Sequence, residues 1–171
     1  MAAFSIGVLS RDEIMAVYPL VREAVPTLEL SSWLRFARQL TGSRRGEQCG
    51  IVAASREGRT FPSGLFCYRV EDDLTLGKVL VADHFVAVDL LDPGAVLAAL
   101  VEQLDELARR LGCTAVRSLV HGGTHDTAES LDAAGHRRED SMLLLKRLRK
   151  ASRRSGAGRG GCAEGTTAAT G

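Results

Sequence analysis

The sequence predicts an α/β domain with a mixed central sheet flanked by helices, in the order βααβββαβαβ. Three observations predict it. Strand-like and helix-like segments alternate along residues 1–148. A long apolar stripe at helical period follows a Val-rich run at 78–91. Short links join the three central strand-like runs, which suits antiparallel pairing. The chain has 171 residues and a mass of 18.3 kDa, the size of one domain. With 45% apolar and 25% charged residues, wholesale disorder is excluded.

Each element has its own signal. Phe4–Leu9 is a short apolar run, the first strand. Ser10-Arg11-Asp12-Glu13 has the form of a capping box, with the Ser10 hydroxyl accepting from the Glu13 amide and the Glu13 side chain reaching back. Ile14, Val17, Tyr18 and Val21 then mark one face of a helix, which Pro19 kinks or splits. After Val25-Pro26, Leu30, Trp33, Leu34 and Ala37 mark a second helix. Gly50–Ala54, Leu65–Val70 and Lys78–Leu91 read as three strands, separated by Arg56-Glu57-Gly58-Arg59 and by Glu71-Asp72-Asp73. Gly94–Leu111 is the clearest helix, with Asp92 as N-cap, Pro93 at the first helical position and Gly112 as the stop. Ala115–Val120 is a strand, Thr124–Ala134 a short helix stopped at Gly135, and Met142–Leu148 a closing strand.

Charge separates body from tail. The net charge is +1, yet residues 149–171 carry Arg149, Lys150, Arg153, Arg154 and Arg159 against Glu164, which leaves residues 1–148 at −3. The domain is therefore set at 1–150. Ala151–Gly171, without an aromatic or branched aliphatic residue, is expected to be a disordered, solvated tail; a nucleic-acid or membrane role for its basic residues is the lesser alternative. No apolar run reaches the ~18–20 residues of a membrane-spanning helix, and Met1–Ser10 lacks the basic start of a signal peptide. Cys49, Cys67, Cys113 and Cys162 stand far apart without a CxxC pair, which suits a reducing cytoplasm.

Several strings resemble one family. Val86-Ala87-Val88-Asp89 ends the long strand, Leu107-Ala108-Arg109-Arg110-Leu111-Gly112-Cys113 ends the long helix, Ser130-Leu131-Asp132-Ala133-Ala134-Gly135-His136 follows, and Met142-Leu143-Leu144-Leu145-Lys146 closes. Together with the element order these resemble the GNAT superfamily of acyl-CoA-dependent N-acyltransferases, over about residues 4–148. The resemblance implies transfer of an acetyl group from acetyl-CoA to a small-molecule or peptide amine. It also implies cofactor contacts at Val88, Gly94, Ala95, Val96 and Leu97, where the strand runs into the long helix.

The resemblance has gaps. The family's Q/R-x-x-G-x-G/A turn lets backbone amides approach a pyrophosphate at a helix N-terminus. Aligned from the helix side, Asp92 stands for the basic residue and Ala95 and Leu97 for the glycines; aligned from the strand side, the positions are Pro93, Val96 and Ala98. Leu131 stands where the family has its acid tyrosine. These gaps keep a second reading open, a GNAT-fold binding or regulatory module without turnover.

For the chemistry, His84 is the candidate general base, with Asp83 beside it. On a regular strand adjacent residues face opposite ways, so only one of the two is expected to face a cleft; a His–Asp pair on the sheet surface is the alternative. His121 and His125 have metal-like spacing, but Gly122-Gly123 favour a loop, and no metal site is expected. Cys113 is expected to pack as a small apolar residue. Trp33 and Phe36 belong either to the core or to a substrate pocket.

Overall fold

In a computed structural model the chain is described over residues 3–42, 47–59, 61–89, 92–120 and 125–139, and the account below concerns the unit Met1–Arg138. The expected closing strand Met142–Leu148, the tail Ala151–Gly171 and residues 121–124 lie outside the described residues.

The described strands form one sheet in chain order: β1 (Phe4–Val8), β2 (Cys49–Arg56), β3 (Gly64–Asp73), β4 (Gly77–Ala87) and β5 (Ala115–Ser118). β1 to β4 pair antiparallel, as the short links require, and β5 joins β4 in parallel. The parallel step needs a crossover, and α3 (Pro93–Arg110) supplies it. The helices α1 (Tyr18–Ala24) and α2 (Leu30–Leu40) lie between β1 and β2, and α4 (His125–Ala133) follows β5. The fold class expected from the sequence is the one observed.

Alternation along the strands makes two cores. Val52, Ala54, Phe66, Tyr68, Leu80 and Ala82 project toward α3, where Val96, Leu100, Leu104 and Leu107 meet them. Ile51, Ala53, Leu65 and Cys67 project the other way, toward Val21 of α1 and Trp33 and Ala37 of α2. Gly64 lets α3 come close: a Cβ there would lie 2.6 Å from a Val96 methyl. Asp92 caps α3 by accepting from the Ala95 amide at 2.9 Å, and Gly112, at φ +68°, ends it.

Several boundaries differ from the sequence reading: β2 runs on to Arg56 and β3 to Asp73, through residues read as links, and three others differ as well. The first helix starts at Tyr18, not at Ser10. Pro19 has no N–H to give to Met15, so residues 11–17 fold as turns, with the Ala16 amide on the Glu13 carbonyl at 2.9 Å and Pro19 in the first turn of α1. The Glu13 carboxylate does reach back to the Ser10 amide, at 2.8 Å, but the Ser10 hydroxyl donates to that same carboxylate and does not accept from the Glu13 amide. β4 stops at Ala87, where the Val88 amide turns to the Ser63 carbonyl and Asp89 is drawn to Arg56. β5 stops at Ser118, whose partner Ala82 immediately precedes the irregular stretch of β4.

Candidate functional site

The bulge organises the site. Opposite β3, Leu65 pairs with Val86 and Cys67 with Asp83, so β4 carries one residue more than β3 across this interval. His84 absorbs it at φ +54°, a left-handed conformation that His, Asn and Asp adopt more readily than other side-chain-bearing residues. Alternation is broken here. Asp83 lies opposite Cys67 on the α1–α2 side, and the His84 ring meets the edge of Phe36 in α2 at 5.3 Å. Phe85 then turns back to stack on Phe66 at 5.6 Å in the α3 core. The regular alternation expected here is corrected: Asp83 and His84 lie on the same side of the sheet, with His84 Nε2 4.0 Å from the Asp83 carboxylate, and of the two only His84 lines the cavity on that side.

Asp83 is buried, and the Arg69 guanidinium holds it at 2.9 Å. Arg69 also holds Glu71, and these carboxylates push its own ionisation further up. His84 is more open, its side chain 49% exposed, and it lines a cavity of about 540 Å³ between the sheet and α1–α2. Val21 and Leu28 form one wall, Trp33 and Phe36 another, and Leu65 and Val86 the sheet side. Leu119 and Val120, just after β5, also line it. Trp33 and Phe36 thus serve both alternatives: Trp33 is a core residue whose ring also borders the cavity.

Two aromatic hydrogen bonds fix the cavity's shape. Trp33 Nε1 donates to the Ile14 carbonyl at 2.7 Å, and the Tyr18 hydroxyl to the Leu28 carbonyl at 2.8 Å. Cys67 also lines the cavity, but burial, with repulsion from Asp83, holds its thiol protonated far above the ordinary thiol range. It is no nucleophile.

β4 runs on from Asp83 to Ala87 beyond its last pair with β5, Ala82 with Ser118. Past β4 lie the residues that the resemblance assigns to a cofactor. Val88 and Gly94 are exposed and Ala95 half-buried, whereas Val96 and Leu97 are buried. The Val88 and Ala95 amides are engaged by Ser63 and Asp92, and Pro93 has none. Asp89, its side chain 1% exposed, is clamped by Arg56 at 3.0 Å and takes the Asp92 amide at 3.4 Å. Two carboxylates thus stand at the start of α3. Leu131, in the position of the family's acid tyrosine, is buried in the α3 core. Cys113 packs half-buried at the edge of that core.

Of the apolar cavity walls, Trp33 and Phe36 are candidates in the sequence and the others are missed. Val21 carries only a helical-period signal, Leu28 lies in the link between α1 and α2, and Leu119 and Val120, expected in the strand, lie just past its end. Among the described residues, no helix is long and apolar enough to cross a membrane, and no cluster of ligating side chains gathers.

No protein-family model matches the chain, and no curated protein matches it in sequence. Solved structures do match. An aminoglycoside N-acetyltransferase in complex with CoA superposes with a TM-score of 0.70 at 11% identity, covering 86% of this chain and 96% of that one. Glucosamine-6-phosphate N-acetyltransferase from Arabidopsis thaliana gives 0.65 at 17% identity, over 86% and 99%. A transcriptional regulator from Bacillus halodurans C-125 gives 0.70 at 12% identity, over 84% and 99%. The fold is that of the GNAT acetyltransferases.

Proposed function

We propose that this chain is a cytoplasmic N-acyltransferase that moves an acetyl group from acetyl-CoA to an amine. One observation carries the proposal: the β4 bulge sets His84 at the wall of an apolar cavity, beside the part of β4 that runs past β5. An amine attacks only when neutral, and the His84 imidazole is placed to take the proton it sheds. Asp83, held by Arg69, is a positioning residue that steadies the ring. The apolar walls exclude water from the reacting groups. The reduced cysteines Cys49, Cys67 and Cys113 support the cytoplasmic assignment.

Acetyl-CoA supplies an acyl thioester when bound. The edge of β4 from Asp83 to Ala87 suits its extended, amide-bearing arm, which pairs with a strand edge much as a peptide does. The start of α3 does not suit its pyrophosphate, because Asp92 already takes the Ala95 amide and Asp89 adds a second carboxylate. That disagreement favours a second reading, a binding or regulatory module without turnover; a transcriptional regulator shares the fold.

Calorimetry with acetyl-CoA, followed by thiol release in the presence of amines, separates the two. The transfer reading expects binding and release, and a loss of ~10²–10⁴-fold in His84→Asn, which keeps the left-handed backbone while removing the base. The fall in rate on acidification should be less steep in that variant, with only the protonation of the amine itself remaining. Absence of both binding and release establishes the second reading.

A further inference from the structure

We infer that the amine accepted at this site is a monoamine with an apolar body, and neither a polycation nor an amino acid; the inference rests on the transfer reading above. Among the described residues, the cavity of about 540 Å³ is lined by no carboxylate, guanidinium or ammonium group. A polyamine or aminoglycoside brings several ammonium groups, each of which loses its hydration on entry and needs an anion in exchange. Asp83, 4.0 Å from His84 Nε2, is paired with Arg69 at 2.9 Å and does not line the cavity. An amino acid or sugar phosphate brings an anion, and among the described residues no arginine or lysine lines the cavity to receive it.

What the walls do offer is specific. Trp33 and Phe36 present ring surface, with centroids 6.2 Å apart, and Val21 and Leu28 present aliphatic surface. The Trp33 N–H is committed to the Ile14 carbonyl, so its ring contributes apolar area alone. Among the described residues, His84 and the protonated Cys67 thiol are the titratable side chains that line this space. A ligand that buries an aromatic or alkyl body among these walls and brings one nitrogen to His84 matches the described lining. The apolar surroundings also favour the neutral amine, the form that attacks.

Trp33 is the sole tryptophan of the chain, so its fluorescence reads occupancy without turnover. The full chain is titrated with 2-phenylethylamine, ethanolamine and spermidine, and thiol release from acetyl-CoA is followed with each. 2-Phenylethylamine should bind about a hundredfold more tightly than ethanolamine, the worth of burying one phenyl ring. Ala24→Phe, at an exposed position on the cavity rim, should weaken it about tenfold with no change in melting temperature. Val25→Asp, also on the rim and 45% exposed, should bring a carboxylate to the cavity and shift preference toward spermidine. Spermidine binding as tightly as 2-phenylethylamine in the unaltered chain overturns the inference, as does 2-phenylethylamine binding that Ala24→Phe leaves untouched. Thiol release with spermidine alone keeps the transfer reading and rejects this substrate class. Binding of 2-phenylethylamine without thiol release does the reverse.

Discussion

On one face of the sheet a single helix of 18 residues lays Val96, Leu100 and Leu104 against Phe66, Leu80 and Ala82, and all six are fully buried. On the other, helices of 7 and 11 residues meet Ile51, Ala53 and Leu65 and leave a cavity of about 540 Å³. The strands are shared, so the difference comes from what covers them. A long helix runs in continuous register with the sheet, and Gly64 draws it in further. Two short helices, parted by Val25–Glu29, meet the sheet at separate places and are fastened to each other's flanks by Trp33 and Tyr18. The first face supports the sheet, and the second holds space open beside it.

The comparison is broken most directly on the supporting face. Leu104→Ala should cost ~2–5 kcal/mol in chemical denaturation, the usual range for truncating a buried leucine; a cost under about 0.5 kcal/mol would place α3 outside the core. On the cavity face, Trp33→Phe retains ring area but strands the Ile14 carbonyl, and thermal melting should show a loss of ~1–3 kcal/mol. An unchanged melt would mean that packing alone shapes the cavity. At the start of α3, Asp92→Ala removes a cap and should cost ~0.5–2 kcal/mol, while easing an anion's approach in calorimetry.

The smallest effect lies at the far end of the sheet. The Arg117 guanidinium, aided by the Thr75 and Leu76 amides, holds Asp73 well below the ordinary carboxylate range. Its contribution to stability is complete above the unfolded value of about 3.9 and fades as pH falls toward the lower folded one. Between about pH 5 and pH 2 the melting temperature of the unaltered chain should therefore fall further than that of Asp73→Asn.

Much of this was legible in local signals. The apolar stripe of α3 with its cap, proline and stop, and the short links of β2 to β4, are written into neighbouring residues. So was the break at Pro19, although its result, a start at Tyr18, depended on which side of the proline kept the helix. The pair Asp83-His84 was found as a pair of residue types, but not their shared orientation. That orientation belongs to the pairing of β4 with β3, and Val-Ala-Asp-His-Phe-Val contains no glycine to announce a bulge. The cavity was not legible either, because it is what α1, α2 and the residues after β5 leave uncovered.

The extra residue of β4 makes this site a matter of parity. Leu80 and Ala82 belong to one side by counting in twos, and the same count would send His84 into the α3 core and Phe85 toward the cavity. One added residue turns even into odd. A chain that lost Phe85 would pair without the bulge and send the imidazole into the α3 core, whereas one that lost Asp83 would keep it at the cavity wall. Point changes at this position alter the chemistry, whereas a deletion just after it alters which side of the sheet the chemistry is on.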